Sequence, residues 1–355
     1  MERAVFIPTT DISLAKHCID SFYKSQKVTN IPVFIVYTGA DESVESRKIN
    51  RNVIIVGYEH TSSVANYLSK IGNYPEKYIF GDVKFNRSYG GASNLIFALA
   101  SILGVNQILK CDDDCLEHND SSQYWLCEAN QLQAKIKIIF FGDYLEIGEK
   151  PSDYIPKKTY FELIKYIYPS TEHLERIKTC YDKIHSIVKN GNLIVPKSAI
   201  KDACYPVLYD ESLKIHGRGE VNYWKRQLES VGYNFIFKPK LNIKHKKNKF
   251  SLSSWISSLL LAFDLSFIDN KLHKGIFDIR EKERIEKLSY FKSWMSLAEW
   301  GEDFDIFSVL NSIPDDKIFA FTEQYYYRKR EAIVAWKQIM STDLRIIANK
   351  LNLQF

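Results

Sequence analysis

The chain is 355 residues long, 45% apolar and 26% charged, with 15 glycines and 10 prolines. That balance excludes a disordered, collagen-like or low-complexity polypeptide and leaves one large domain or two modest ones. Forty-eight Lys and Arg against 43 Asp and Glu give a net charge of +5, a basic excess too small for a nucleic-acid footprint, so no nucleic-acid partner is expected.

In chain order, the first 110 residues alternate β-branched or aromatic runs with helical spacing, the signature of βαβ units and a mainly parallel sheet. Strands are predicted at 4–8, 33–37, 53–57 and 107–111. Between the first two, Leu14, Cys18, Ile19 and Phe22 fall on one face of a helix. A second helix, predicted at 93–103, carries Leu95, Ile96, Leu99 and Ile102 into the fourth strand. The carboxyl ends of these strands meet at one sheet edge, where open α/β folds bind ligands. Residues 160–189 again show helical spacing. Beyond them the chain reads as loop, helix (221–231), strand (234–237) and a Lys- and Pro-containing edge. From about residue 250 the pattern becomes amphipathic helices rich in Trp, Phe and Tyr. A boundary near Lys249 is therefore expected, dividing an α/β domain (1–248) from a helical C-terminal subdomain (249–355).

The six cysteines, Cys18, Cys111, Cys115, Cys127, Cys180 and Cys204, are scattered without a C-x-x-C pair, which suits a reduced, cytoplasmic compartment. The N-terminal residues pass directly into a strand-like run with no basic and apolar leader, so no signal peptide is expected. The longest apolar stretch, 255–267, is broken by serines and Asp264 and is shorter than the roughly 20 residues of a membrane span.

The sharpest local feature is Asp112-Asp113-Asp114, directly after the apolar run Ile108-Leu109-Lys110-Cys111. Three adjacent carboxylates repel one another unless a cation or basic group compensates. In an extended segment Asp112 and Asp114 would point to one side, so that one meets a divalent metal while the other faces a ribose. A solvated acidic turn at a strand end is the plainer alternative for the triplet alone.

Further residues follow in a telling order: Gly191-Asn192-Leu193-Ile194-Val195, Tyr205-Pro206 with Tyr209-Asp210-Glu211-Ser212-Leu213, Gly219-Glu220-Val221-Asn222-Tyr223-Trp224 and Pro239 to His245. With Phe6-Ile7-Pro8-Thr9-Thr10 and Gly90-Gly91-Ala92-Ser93-Asn94 ahead of them, residues 4–246 resemble a GT-A glycosyltransferase of the family 2 type. The resemblance implies a Rossmann-like α/β fold, with a mainly parallel central sheet flanked by helices, and transfer of a sugar from a nucleotide-diphosphate sugar. It makes Asp112 and Asp114 the D-x-D pair, with His245 completing a Mn2+ or Mg2+ site from a distant strand. Lys244, Lys246 and Lys247 would add charge at the phosphates. It also places Asp112 and Asp113 toward the nucleotide, with Thr9, Asp41 and Arg87 as further contacts.

Glu220 corresponds to the family's base at a helix start, where the helix dipole suits a carboxylate that accepts a proton from an acceptor hydroxyl. Gly219 and Asn222 depart from the family pattern, which has acids at both places. A single base opposite the leaving group would give inversion. The acceptor implied is a glycan or glycolipid, in surface polysaccharide or lipopolysaccharide synthesis. Acceptor choice is expected in the segment 143–189. The C-terminal aromatics, among them Trp255, Trp294, Trp300, Trp336 and Tyr325-Tyr326-Tyr327, are expected to pack on the catalytic domain. Peripheral contact with the inner face of the cell membrane and homo-oligomerisation are the alternatives.

Two rival readings stay open at this level. A haloacid-dehalogenase-like phosphohydrolase also carries D-x-D after a strand, with Gly142-Asp143 resembling its later metal loop. A non-catalytic GT-A-like scaffold would explain the departures around Glu220. A pyrophosphorylase or Walker A site is not supported, because Pro8-Thr9-Thr10-Asp11 lacks glycine and no Walker A sequence occurs.

Overall fold

In a computed structural model of the chain, the residues described are 1–23, 30–117, 121–132, 137–142, 144–147, 156, 158–159, 162–163, 191–207, 209–210, 215–216, 220–246, 252–276, 278–300 and 305–351. The expected helical region at 160–189 lies almost wholly outside these residues, as do Asp143, Glu211, Gly219 and Lys247.

The strands are β1 (Arg3–Thr9), β2 (Val33–Tyr37), β3 (Arg47–Lys48), β4 (Val53–Val56), β5 (Gln107–Cys111), β6 (Cys115–Leu116), β7 (Ile138–Phe141), β8 (Tyr144–Ile147), β9 (Asn192–Pro196), β10 (Tyr209–Asp210), β11 (Ile215–His216), β12 (Asn234–Phe237) and β13 (Ile243–Lys246). The helices described are α1 (Ile12–Tyr23), α2 (Tyr58–Gly72), α3 (Glu76–Ile79), α4 (Tyr89–Ile102), α5 (Ser121–Leu132), α6 (Lys197–Asp202), α7 (Glu220–Ser230), α8 (Leu252–His273), α9 (Glu281–Leu297), α10 (Ile306–Asn311), α11 (Asp315–Ser341) and α12 (Arg345–Lys350).

Eight strands form the central sheet in the order β12-β7-β9-β5-β1-β2-β4-β3. Pairings β1–β2, β1–β5, β2–β4 and β7–β12 are parallel, whereas β9 runs antiparallel to both β5 and β7 and β3 antiparallel to β4. The protein is thus an α/β structure with a mainly parallel sheet flanked by helices, the arrangement that the resemblance implies. Strands β2, β4, β5 and β9 are buried along their whole length, so they read as near-continuous apolar runs and not as alternating ones.

The two-residue period of β1 divides its side chains between two cores. Ala4 and Phe6 join Phe34, Ile108, Leu193 and Trp224 on one face, under α2, α4 and α7, while Val5 and Ile7 join Ile35, Leu109 and Cys111 under α1 and α5. Helix α4 begins at Tyr89, four residues before its predicted start, because Ser88 caps it: the Ser88 Oγ accepts a hydrogen bond from Gly91 N–H at 3.2 Å. Its residues from Gly90 to Ile102 are all buried, so this helix forms the centre of its layer.

Helices α8 to α11 build a third cluster around Leu260, Phe263, Phe291, Met295 and Phe319. A buried ion pair holds it together. Arg284 donates to both carboxylate oxygens of Asp264 (3.1 and 2.6 Å), to Thr322 Oγ1 (2.6 Å) and to Glu323 (2.6 Å). Helix α11 straddles two clusters. Ile318 to Tyr325 belong to this helical group, whereas Ala335, Trp336, Ile339 and Met340 lie in the core of the central sheet. The Trp336 Nε1–H donates to Ile200 O at 2.8 Å, and its ring lies 6.3 Å from that of Phe80. The packing is therefore continuous across residue 249, and a division into 1–248 and 249–355 is a proposal about folding units. Among the described residues, no helix is long and apolar enough to cross a membrane.

Trp336 is fully buried, and Trp336→Ala is expected to lower the unfolding free energy by about 3–5 kcal/mol in urea denaturation. A loss below about 1 kcal/mol would contradict the docking of α11 on the sheet.

Candidate metal and substrate site

The site is built where β5 runs out. Its last residues are buried, and the chain then turns, with Cys115 N–H donating to Asp112 O at 3.3 Å. The triplet is thus a turn and not the extended segment expected, yet Asp112 and Asp114 still converge. The reason is the strand that follows. β13 pairs antiparallel with β6, setting His245 opposite Cys115, and parallel with β8, setting His245 opposite Glu146. This three-stranded sheet, β6-β13-β8, carries His245 from a distant part of the sequence to the side of the turn. His245 Nε2 lies 3.1 Å from Asp114 Oδ2. One ligand atom from each of Asp112, Asp114 and His245 falls within 4.8 Å of the others, the cluster of metal-ligating type found among the described residues.

Two of the members, Asp112 and His245, are held from behind. The Tyr144 ring stacks flat on the His245 imidazole, with centroids 4.3 Å apart and planes within 3°. The Tyr144 hydroxyl donates to Asp112 Oδ2 at 2.6 Å and accepts from Gly191 N–H at 2.7 Å. Burial pushes the Tyr144 phenol well above its ordinary range, with the Asp112 charge adding to the effect. Tyr144 therefore serves as a neutral donor, and a hydrogen bond to a carboxylate is a strong one. Lys110 Nζ lies 3.6 Å from Asp112 Oδ1, its side chain fully buried. Burial pulls the Lys110 ammonium down, and Asp112 opposes that shift.

The antiparallel strand β9 starts at the same edge, with Asn192 opposite Cys111. Asn192 Nδ2 donates to Leu241 O at 2.8 Å, just ahead of β13, and so ties the two sheets together. Gly191 leaves no room for a side chain: a Cβ there would lie 2.0 Å from Asp112 Cγ and 2.3 Å from the Tyr144 hydroxyl.

Thr9, at the end of β1, places its Oγ1 2.5 Å from Asp113 Oδ2, and Asp11 N–H donates to the same Oγ1 at 2.8 Å. Burial pushes Asp113 up to about 7; the Thr9 hydrogen bond opposes this, and the charges of Asp114 and Asp112 add to it. Asp41 is exposed on the loop after β2, which the Thr9–Tyr37 register places beside the end of β1. Its Oδ1 accepts from Ser43 N–H (2.9 Å) and Ser43 Oγ (2.7 Å), which holds the carboxyl below its ordinary value. Arg87 is different. It is buried, Nη1 donates to Phe80 O and Gly81 O at 3.0 Å, and Nη2 pairs with Glu76 at 2.8 Å. In this structure Arg87 is a clamp between α3 and α4, not an exposed contact.

Glu220 opens α7 and is buried. Its Oε2 accepts a short hydrogen bond from Gly90 N–H, in the first turn of α4, so two helix N-termini point at one carboxylate. A Cβ on Gly90 would stand 2.9 Å from Glu220 Cδ and 2.4 Å from Pro206 O, which is the steric reason for glycine at that place.

Lys110 and Tyr144 were not foreseen as site residues. A lysine inside an apolar strand two places before a carboxylate is a legible signal for Lys110. Tyr144 had none, because the four residues of β8 carry no pattern of their own and form a strand by pairing with β13.

Neither a family model nor a curated protein sequence matches the chain. Solved structures of related shape include residues 1–349 of TarS from S. aureus, at 10% identity and a TM-score of 0.40, covering 96% of this chain and 90% of that one. Another is the mannosyltransferase PcManGT from Pyrobaculum calidifontis, solved in complex with GDP-Man and Mn2+, at 12% identity and a TM-score of 0.40, covering 99% and 87%. Likeness at these scores says nothing of activity or substrate.

Gly191→Ala forces Asp112 and Tyr144 apart. It is expected to weaken Mn2+ binding about 10–100-fold, as loss of a supporting contact to a metal ligand does, while the circular dichroism spectrum stays native. Unchanged Mn2+ affinity in isothermal titration would show that Asp112 takes no part in cation binding.

Proposed function

We propose that the protein is a metal-dependent glycosyltransferase of GT-A type, resembling family 2, which moves a sugar from a nucleotide-diphosphate sugar to a hydroxyl of a glycan or glycolipid. The observation that carries this reading is the gathering of Asp112, Asp114 and His245 at the sheet edge, where α/β folds bind ligands. Two carboxylates with one imidazole suit Mn2+ or Mg2+, and the buried supports on Asp112 and His245 are those that metal ligands need. A divalent ion held there would neutralise the charge that develops on the leaving nucleoside diphosphate.

The chain's own residues do the rest. Thr9 and Asp113 face the nucleotide from the ends of β1 and β5, with Asp41 on the adjoining loop. Glu220, aligned by Gly90 N–H, takes the proton from the attacking acceptor hydroxyl. One base acting opposite the leaving group inverts the anomeric carbon. The acceptor belongs to surface polysaccharide or lipopolysaccharide assembly, with the enzyme in the cytoplasm or at the inner face of the cell membrane.

The phosphohydrolase reading is less well supported. That family normally has Thr or Val directly after the second acid, where this chain has Cys115.

Two substitutions separate the roles. Asp114→Ala is expected to abolish Mn2+-dependent stabilisation by nucleoside diphosphates in thermal unfolding. Glu220→Gln should leave that stabilisation within about twofold in affinity and lower the transfer rate about 10²–10⁴-fold, the usual contribution of a general base. A Glu220→Gln enzyme with most of its turnover intact would remove Glu220 from the role of base.

A further inference from the structure

Tyr89 opens helix α4 and is 56% exposed, while Arg87 and Ser88 before it and Gly90 to Ile102 after it are all buried. One aromatic ring thus stands at the surface on a stretch of chain that is otherwise covered. Its mount is rigid. The Ser88 side chain caps the helix through Gly91 N–H, and the Tyr89 carbonyl accepts from Ser93 Oγ at 2.7 Å, so the backbone that carries the ring is held on both sides.

Hydrogen bonds fix where that ring sits. On one side the next residue, Gly90, donates its N–H to Glu220 Oε2, and consecutive Cα atoms are about 3.8 Å apart. On the other side, two residues back, Arg87 N–H donates to Thr38 O at 3.1 Å, just past the end of β2. Thr38 in turn donates to Thr9 O from its N–H (2.8 Å) and its Oγ1 (3.1 Å), and Thr9 bonds Asp113. Residues 87–90 therefore run from the strand ends beside the acidic triplet to the Glu220 carboxylate, and Tyr89 is the exposed residue of that span.

A tyrosine ring has an apolar body and a polar tip, which suits a pyranose, with its C–H face and its rim of hydroxyls. It is also a large, stiff contact that costs little entropy to hold, having only two χ angles. In the proposed transfer the acceptor hydroxyl must come within hydrogen-bond reach of the base. The sugar that bears this hydroxyl then lies next to Glu220, on the side where Tyr89 adjoins it.

We propose that the Tyr89 ring is the platform on which the reacting sugar of the acceptor stacks, holding its hydroxyl toward Glu220. This assignment rests on the glycosyltransferase reading and adds an acceptor subsite to it. The other flat group in the reaction is the nucleobase of the donor, which also stacks on aromatic side chains. The place of Tyr89, one residue from the Glu220 contact, favours the acceptor.

The test uses the full chain with Mn2+, comparing wild type, Tyr89→Ala and Tyr89→Trp. UDP and GDP are titrated first by calorimetry. With the bound nucleotide saturating, the methyl glycosides of glucose, galactose, mannose and N-acetylglucosamine are then titrated by saturation-transfer NMR. Wild type should bind one nucleotide and at least one glycoside, with saturation strongest on the ring C–H protons. Tyr89→Ala should bind the same nucleotide unchanged and that glycoside about tenfold more weakly, the order of one lost aromatic stacking contact, whereas Tyr89→Trp keeps both. Both variants should unfold at the wild-type temperature, because the ring is at the surface. Glycoside binding that survives Tyr89→Ala would overturn the assignment, as would a wild type that binds nucleotide and none of the glycosides. Loss of nucleotide affinity in Tyr89→Ala, restored in Tyr89→Trp, would also overturn it and give the ring to the nucleobase. If wild type binds neither nucleotide, the donor-site reading itself fails, and the role of Tyr89 fails with it.

Discussion

Three consecutive carboxylates at the end of a buried strand cannot stand together unless something offsets their mutual repulsion. Much of the architecture around Asp112, Asp113 and Asp114 answers that demand. Asp112 has Tyr144 and the buried Lys110, Asp113 has the Thr9 hydroxyl, and Asp114 has His245. Each partner comes from a different strand, so the turn can form only when β1, β5, β8 and β13 are all in place. Among the described residues, the basic side chains set against these three acids are Lys110 and His245. The remaining negative potential is what a divalent cation would relieve.

The sheet topology serves the same turn. The reversal of β9 brings Gly191 and Asn192 to the edge where the parallel strands end, so that a glycine lies directly against Asp112 and an amide ties β9 to the start of β13. Helix α4, buried along nearly its whole length, aims its first turn at Glu220 and holds Tyr205 through Asn94. The carboxylate cluster and the proposed base are thereby fixed to one rigid layer and its edge. The far end of that layer is braced by Trp336 from the C-terminal helices.

Local signals in the sequence were enough for the first half of this picture. β2 and β5 fall on the predicted residues because continuous apolar runs of about five residues have few alternatives to a buried strand. The acidic triplet, His245 and Glu220 were identifiable from residue type and order, and the structure brings the first two together. What local pattern could not supply was pairing. β6, β8 and β13 are two to four residues long, with no periodicity of their own, and they exist because they pair with one another. Tyr144 was invisible for that reason. The surroundings of Arg87 were illegible for a related one: only tertiary packing shows its guanidinium turned onto Glu76 and two carbonyls.

The central claim is that Asp112, Asp114 and His245 hold a divalent cation that also meets a diphosphate. Pulsed electron paramagnetic resonance of Mn2+ bound to the protein, with UDP or GDP present, tests it most directly. A single bound Mn2+ showing both an imidazole ¹⁴N coupling, lost in His245→Ala, and a ³¹P coupling from the nucleotide is the predicted result. Mn2+ that fails to bind, or binds with neither coupling, would contradict the account.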